Sequence, residues 1–177
     1  MAQQSLLSRR SFVKLGALAL AAGPQLLKAA APERSLSLYN LHTTEQLKVV
    51  YWADGAYVPE SLTAIDRVLR DHRTGTVHEI DRRLLDLLCQ VRTQLDTTEP
   101  FQIISGYRSP ETNAKLRTQS TGVATHSLHM DGMAADVVVP GRSLDLIRKV
   151  AIAMKSGGVG YYPSQFVHID VGRVRTW

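Results

Sequence analysis

One cysteine, Cys89, stands in a chain of 177 residues. A fold built on it has no intrachain disulfide and no Cys-rich zinc knuckle, so a buried apolar core must hold it. The composition allows that: 44% of residues are hydrophobic and 21% charged. Such a balance excludes wholesale disorder, a collagen-like repeat and a polytopic membrane protein. The length suits one domain, or a small domain with a tail. Any metal site must draw its ligands from His, Asp and Glu. Cys89 itself reads as a small buried hydrophobe.

The formal net charge is +5, which on its own hints at nucleic acid or a membrane surface. Its distribution removes the hint. Arg9, Arg10, Lys14 and Lys28 are unopposed by any acidic residue through position 31, leaving 17 basic against 16 acidic residues beyond it. No nucleic-acid partner is expected of so neutral a domain. The first stretch reads Ser8-Arg9-Arg10-Ser11-Phe12-Val13-Lys14, then an apolar run from Leu15 to Ala22, Gly23-Pro24 and Ala29-Ala30-Ala31. A basic start, a short apolar stretch and small residues at the end make a secretory leader over 1–31. The apolar run falls short of the ~20 residues that span a bilayer. The paired arginines followed by Phe and Lys resemble a twin-arginine signal. That implies the twin-arginine (Tat) export machinery as a partner, a bacterial periplasmic destination, and membrane association only if the leader is retained. The folded domain is then 32–177.

Within it, alternating Leu36, Leu38, Leu47 and Val49, interrupted at Thr43-Thr44-Glu45, predict a β-hairpin over 35–50. Asp54-Gly55 marks a turn. Leu62, Ile65, Val68 and Leu69 predict a helix over 61–73 capped by Ser61. Leu84, Leu87, Leu88, Val91 and Leu95 predict another over 81–95. A short strand follows at 101–104, then a helix opened by Ser109-Pro110 and a polar loop over 118–127. A strand at 135–139 stops at Pro140-Gly141. Ser143 caps a helix through Met154, closed by Gly157-Gly158, and 166–171 forms the last strand. The mixture lacks strict βαβ alternation. It predicts a single α+β domain, with a small, mostly antiparallel sheet and helices packed on one face.

Of six histidines, His42, His72 and His78 lie in polar hairpin or helix-flanking sequence and read as surface or structural. His129 and His168 differ. His129 and Asp136 are separated by Gly132, which permits a tight reversal. In Phe166-Val167-His168-Ile169-Asp170 the His and Asp share one strand face. Two His and one carboxylate are the catalytic-zinc pattern, with a fourth position left for water. Buried His side chains hydrogen-bonded to Asp are the competing reading of the same residues.

The segment Ser127-x-His129-x-x-Gly132-x-Ala134-x-Asp136, a later strand carrying His168 and an upstream Ser105-Gly106-Tyr107-Arg108-Ser109 resemble the zinc peptidases grouped with lysostaphin, D-Ala-D-Ala dipeptidases and hedgehog. More narrowly, Leu41-His42-Thr43, Ile104 to Ser109, Gly157 to Pro163, Phe166 to Asp170 and the closing Trp177 resemble the twin-arginine-exported murein endopeptidases of the MepK group. The resemblance covers roughly 36–177. It implies a Zn2+ cofactor bound by His129, Asp136 and His168, which activates water and polarises a peptide carbonyl. It implies Arg108 as the substrate or oxyanion contact, and Ser127, Tyr107 and Tyr161 as substrate-binding residues. The general base is open. Where many relatives carry an acid, this chain has Gln165, so Asp170 and His126 are the candidates; Asp170, on the His168 face and within the stronger motif, is favoured over His126, which lies outside it. Asp170 is equally a group that orients His168.

The resemblance further implies a murein endopeptidase that hydrolyses cross-links between peptidoglycan stem peptides. A stem-peptide carboxypeptidase or dipeptidase of the same fold is one alternative. A non-catalytic zinc-containing murein- or protein-binding module, favoured by Gln165, is the other.

Overall fold

The structure, a computed structural model, describes residues 32–120 and 122–177. The expected leader over 1–31 lies outside them. No described helix is long and apolar enough to cross a membrane.

The predicted hairpin forms from β1 (Arg34–Asn40) and β2 (Gln46–Ala53), paired antiparallel with Leu36 opposite Val49 and Leu38 opposite Leu47. Asp54-Gly55, both at positive φ, then turn the chain into the short β3 (Ala56–Tyr57), the geometry of a two-residue hairpin loop. Helix α1 (Pro59–Val68) begins two residues before the expected Ser61, because Pro59 with its fixed φ opens it without a side-chain cap. Ser61 lies inside the first turn and donates to Val50 O at 2.7 Å. Helix α2 (Arg82–Gln94) is capped by Asp81, which accepts from Arg83 N–H. It buries Leu84, Leu85, Leu87, Leu88 and Val91, with Cys89 half-buried against the same core.

Strand β4 (Phe101–Ser105) lies parallel to β1. Helix α3 (Pro110–Gln119) is capped by Ser109 as predicted. Strand β5 (Ala134–Val138) and helix α4 (Leu144–Ala153), capped by Ser143, also match expectation. The next stretch does not. The helix ends at Met154, with Lys155 in the left-handed region, and Gly158 starts a strand, β6 (Gly158–Tyr162), where a helix stop was expected. Strand β7 (Phe166–Asp170) returns beside it, and the last strand is a further one, β8 (Arg175–Thr176).

The result is α+β with one mixed eight-stranded sheet, order β3-β2-β1-β4-β5-β7-β6-β8, larger than expected. Only β1/β4 and β6/β8 are parallel. Period-two alternation gives the sheet an apolar face: Leu36 and Leu38, Phe101 and Ile103, Ala135 and Val137, Val167 and Ile169, and Val159. These side chains join the leucines of α2 and residues of α1 and α4 in one core. The opposite face carries a rung of Ser105, Asp136, His168 and Gly160, side by side on β4, β5, β7 and β6. Polar chemistry thus occupies one side of the sheet without disturbing the packing on the other.

A buried carboxylate ties the α1–α2 connection to the start of α3. Asp71 Oδ2 accepts from Ser109 Oγ at 2.7 Å and Ser109 N at 2.9 Å, and its Oδ1 accepts from Arg73 N at 2.9 Å. Burial alone would raise this carboxyl, but the hydrogen bonds outweigh it and hold it below the usual carboxylate range. A depressed folded-state pKa contributes stability that is present above the unfolded value of ~3.9 and is lost as pH falls toward the folded value. Urea unfolding from pH 6 to 2.5 should therefore show a steep loss below pH ~4 in the wild type. In Asp71→Asn the chain should be destabilised at pH 6 by about 1–3 kcal/mol, with a shallower decline in acid. Parallel curves would show that Asp71 contributes nothing to acid sensitivity.

Candidate metal centre and active-site cavity

His129 sits in a single 3-10 turn (Leu128–Asp131) closed by Gly132 at φ 65°. A side chain at position 132 would be strained by that φ and would collide with Glu79 O. The turn reverses the chain into β5, which presents Asp136, and β5 pairs with β7 so that Asp136 lies directly opposite His168. The three side chains are buried and converge. His129 Nε2 lies 3.2 Å from His168 Nδ1 and 3.3 Å from Asp136 Oδ1, and His168 Nδ1 lies 2.9 Å from Asp136 Oδ1.

The remaining ring nitrogens set the tautomers. His129 Nδ1 is 2.7 Å from Gly106 O, and His168 Nε2 is 3.0 Å from Asp170 Oδ2. A carbonyl and a carboxylate only accept, so both of those nitrogens carry the hydrogen. His129 Nε2 and His168 Nδ1 are then bare lone pairs aimed at Asp136 Oδ1. Three acceptors this close require positive charge among them, from a metal ion or, in its absence, a proton on His168 Nδ1. Their separations are near the ~3.3 Å expected between donors of a tetrahedral zinc with bonds of ~2.0–2.1 Å. Two neutral imidazoles and one carboxylate suit Zn2+. In the metal-free chain, burial lowers the His168 imidazole, but hydrogen bonds to Asp136 and Asp170 outweigh it and raise it above its ordinary 6.5.

The donors lie at one side of a cavity of about 640 Å³, a volume suited to a peptide segment. Arg108 lines it, with Nη2 3.7 Å from Asp136 Oδ2. The Arg108 turn is pinned to the His129 turn: Arg108 N donates to His129 O at 3.0 Å, while Tyr107 N donates to Leu69 O at 2.7 Å. Its guanidinium is held loosely, by Ser105 Oγ at 3.4 Å and Asn113 Oδ1 at 3.5 Å, and its buried Nε has no partner. Those long contacts are weak enough for an oxygen entering the cavity to compete for the guanidinium.

Ser127, His126 and Gln165 also line the cavity. Two expected substrate contacts do not. Tyr107 is buried and stacks on His78 with ring centroids 4.6 Å apart. Tyr161 alternates onto the core face of β6, beneath Arg148. Its neighbour Tyr162, one residue along the strand and so on the opposite face, lines the cavity with Phe166 and Trp177. Asp170 is wholly buried and stands across the His168 ring from Asp136. Arg175, which binds Asp170, carried no signal in the sequence, because it is placed by a turn and an edge strand rather than by a periodic motif. His42 stacks on His72 at 3.8 Å, away from the donor triangle, and burial with His42 beside it pushes the His72 imidazole down to about 4.

Three protein donors facing a cavity on their fourth side make a catalytic rather than a structural zinc arrangement, since a structural site closes its shell with four protein ligands. The class is a metallopeptidase of the D-Ala-D-Ala peptidase and lysostaphin kind. Comparison with known proteins narrows it. The family model described as Peptidoglycan L,D-endopeptidase MepK matches residues 28–177, and the chain belongs to that family. It is 43% identical over 176 residues to Peptidoglycan L,D-endopeptidase MepK of Escherichia coli K12, covering 96% of this chain and 97% of that protein. It is 36% identical over 177 residues to Probable peptidoglycan L,D-endopeptidase MepK of Haemophilus influenzae Rd, covering 96% and 95%.

Protons and metal compete for His168 Nδ1. Because the metal-free imidazole is raised above 6.5, competition begins above that pH and strengthens as pH falls. Titration against a chromophoric chelator from pH 8 to 5.5 should show zinc affinity dropping up to about tenfold per pH unit for each proton displaced. Asp136→Asn should bind zinc weakly at every pH. An affinity independent of pH would contradict the assigned donors.

Proposed function

We propose that this chain is a zinc-dependent L,D-endopeptidase of peptidoglycan that opens peptide cross-links between stem peptides in the bacterial periplasm. What carries the reading is the triangle of His129, Asp136 and His168 beside a cavity lined by the Arg108 guanidinium. The named relatives are L,D-endopeptidases. A cross-link between two diaminopimelates joins the carboxyl of an L-centre to the amine of a D-centre, whereas one from D-alanine joins two D-centres. L,D specificity therefore selects the 3–3 cross-link. The leader's paired arginines support export by the twin-arginine route.

His129, Asp136 and His168 would hold the zinc, which supplies Lewis acidity toward a water and the scissile carbonyl. Arg108 meets the negative charge that develops on the carbonyl oxygen, at low dielectric and with its turn already fixed. Tyr162, Phe166 and Trp177 offer aromatic surface to the stem peptides, and Ser127 a hydroxyl.

Asp170 orients His168 and is not the base. Burial opposes its ionisation, yet hydrogen bonds from His168, Arg175, Gly158 and Gly172 hold it well below the usual carboxylate range. Gln165 has no proton-accepting group. Among the described residues lining the cavity, His126 is the one imidazole or carboxylate outside the donor triangle. We assign it the proton of the attacking water.

A murein digest resolved into muropeptides tests the reading. Purified protein with zinc should deplete 3–3 dimers, and chelator or His129→Ala should abolish the loss. Arg108→Met should cost about 10²–10³ in kcat and His126→Ala about 10²–10⁴, both with zinc retained. The absence of an acid at Gln165 favours a binding module as second reading. Dimers that survive beside stoichiometric zinc would establish it, and shortened monomers alone would establish a carboxypeptidase.

A further inference from the structure

The carboxylate behind His168 is itself gripped by the C-terminal strand. Asp170 Oδ1 accepts from Gly158 N at 2.9 Å, Gly172 N at 2.9 Å and Arg175 Nη1 at 3.1 Å. Its Oδ2 accepts from Arg175 Nη2 at 2.7 Å and His168 Nε2 at 3.0 Å. The fork of Arg175 thus spans both oxygens, the geometry a guanidinium offers and an ammonium does not. One face of that fork meets the Trp177 ring, 4.8 Å from its centroid. The backbone of the strand is fixed as well: Trp177 N donates to Val159 O at 3.2 Å, and Tyr161 N to Trp177 O at 2.9 Å.

The sequence of β6 makes room for this grip. A Cβ at Gly158 would collide with both the Arg175 guanidinium and Asp170 Oδ2. Trp177 then crosses to the cavity side, 5.2 Å from the His168 ring, and donates from Nε1 to Tyr162 Oη at 3.1 Å. His168 is bounded by Asp170 at its Nε2 edge and by Trp177 on its flank.

We propose that Arg175 is a positioning residue for the metal centre. It pins Asp170 so that the carboxylate holds the His168 Nε2–H, which turns the Nδ1 lone pair toward His129 and Asp136. The final residues of the chain are on this account part of the metal site. The inference rests on His129, Asp136 and His168 being the zinc ligands. Partners that orient a ligand imidazole typically set metal affinity by 10–100-fold.

The test measures zinc affinity of the full chain by chelator competition in wild type, Arg175→Met, Arg175→Lys and His168→Ala. Circular dichroism and thermal unfolding of the metal-free forms monitor the fold. Arg175→Met should bind zinc about 10–100-fold more weakly, and Arg175→Lys, which keeps charge without the fork, should recover part of the loss. Histidine nitrogen-15 spectra of the metal-free protein, taken at alkaline pH where the ring is neutral, should show a single Nε2–H tautomer at His168 in wild type and a mixture in Arg175→Met. That signature does not follow from a general loss of stability. Should Arg175→Met fail to fold, Arg175→Lys is read alone, with a loss of several-fold expected. Wild-type affinity and an unchanged His168 tautomer in the folded Arg175 variants would overturn the proposal. If His168→Ala also kept its zinc, the ligand assignment itself would fall.

Discussion

Three lone pairs within 3.3 Å of one another, on buried side chains, cannot coexist without a positive charge between them. In a medium of low dielectric their mutual repulsion and lost hydration are large. The rest of the site follows from that requirement. His129 and His168 each donate a hydrogen outward, to Gly106 O and to Asp170, so that the opposite nitrogen faces inward bare.

The sheet supplies the placement. Asp136 and His168 are cross-strand neighbours on β5 and β7, so their separation is set by strand pairing rather than by side-chain reach. His129 arrives from a turn fastened to the Arg108 backbone, and Arg108 in turn precedes the Ser109 cap that Asp71 holds. The His129 turn and the Arg108 backbone are therefore fixed to each other. Because the hydrophobic core occupies only the other sheet face, the polar face can carry buried donors with no loss of packing. The cavity and its arginine are suited to an extended, carboxylate-bearing peptide, consistent with the family to which the chain belongs.

Much of this was legible in the residues because it rested on local rules. Period two put His168 and Asp170 on one face; Gly132 marked the reversal between His129 and Asp136; Ser109 and Ser143 announced their helices. What escaped depended on tertiary neighbours. Gly157-Gly158 reads as a helix stop, yet Gly158 opens a strand, and it is glycine because Asp170 and Arg175 occupy the space where a side chain would stand. Tyr107 and Tyr161 share motifs with site residues yet point into packing, while Tyr162 faces the cavity, a difference of one register step. The helix expected at Ser61 starts at Pro59, where backbone pre-organisation replaces a cap. Arg175 is tied to Asp170 only through a turn and an edge strand, for which no spacing rule exists.

The most direct measurement is X-ray absorption at the zinc edge of the stoichiometrically loaded protein. The account predicts a four-coordinate shell of nitrogen and oxygen at ~2.0–2.1 Å, with the outer scattering of two imidazoles and no sulfur. A sulfur scatterer at ~2.3 Å, which only Cys89 or a methionine could supply within the chain, or a shell without imidazole, would contradict it.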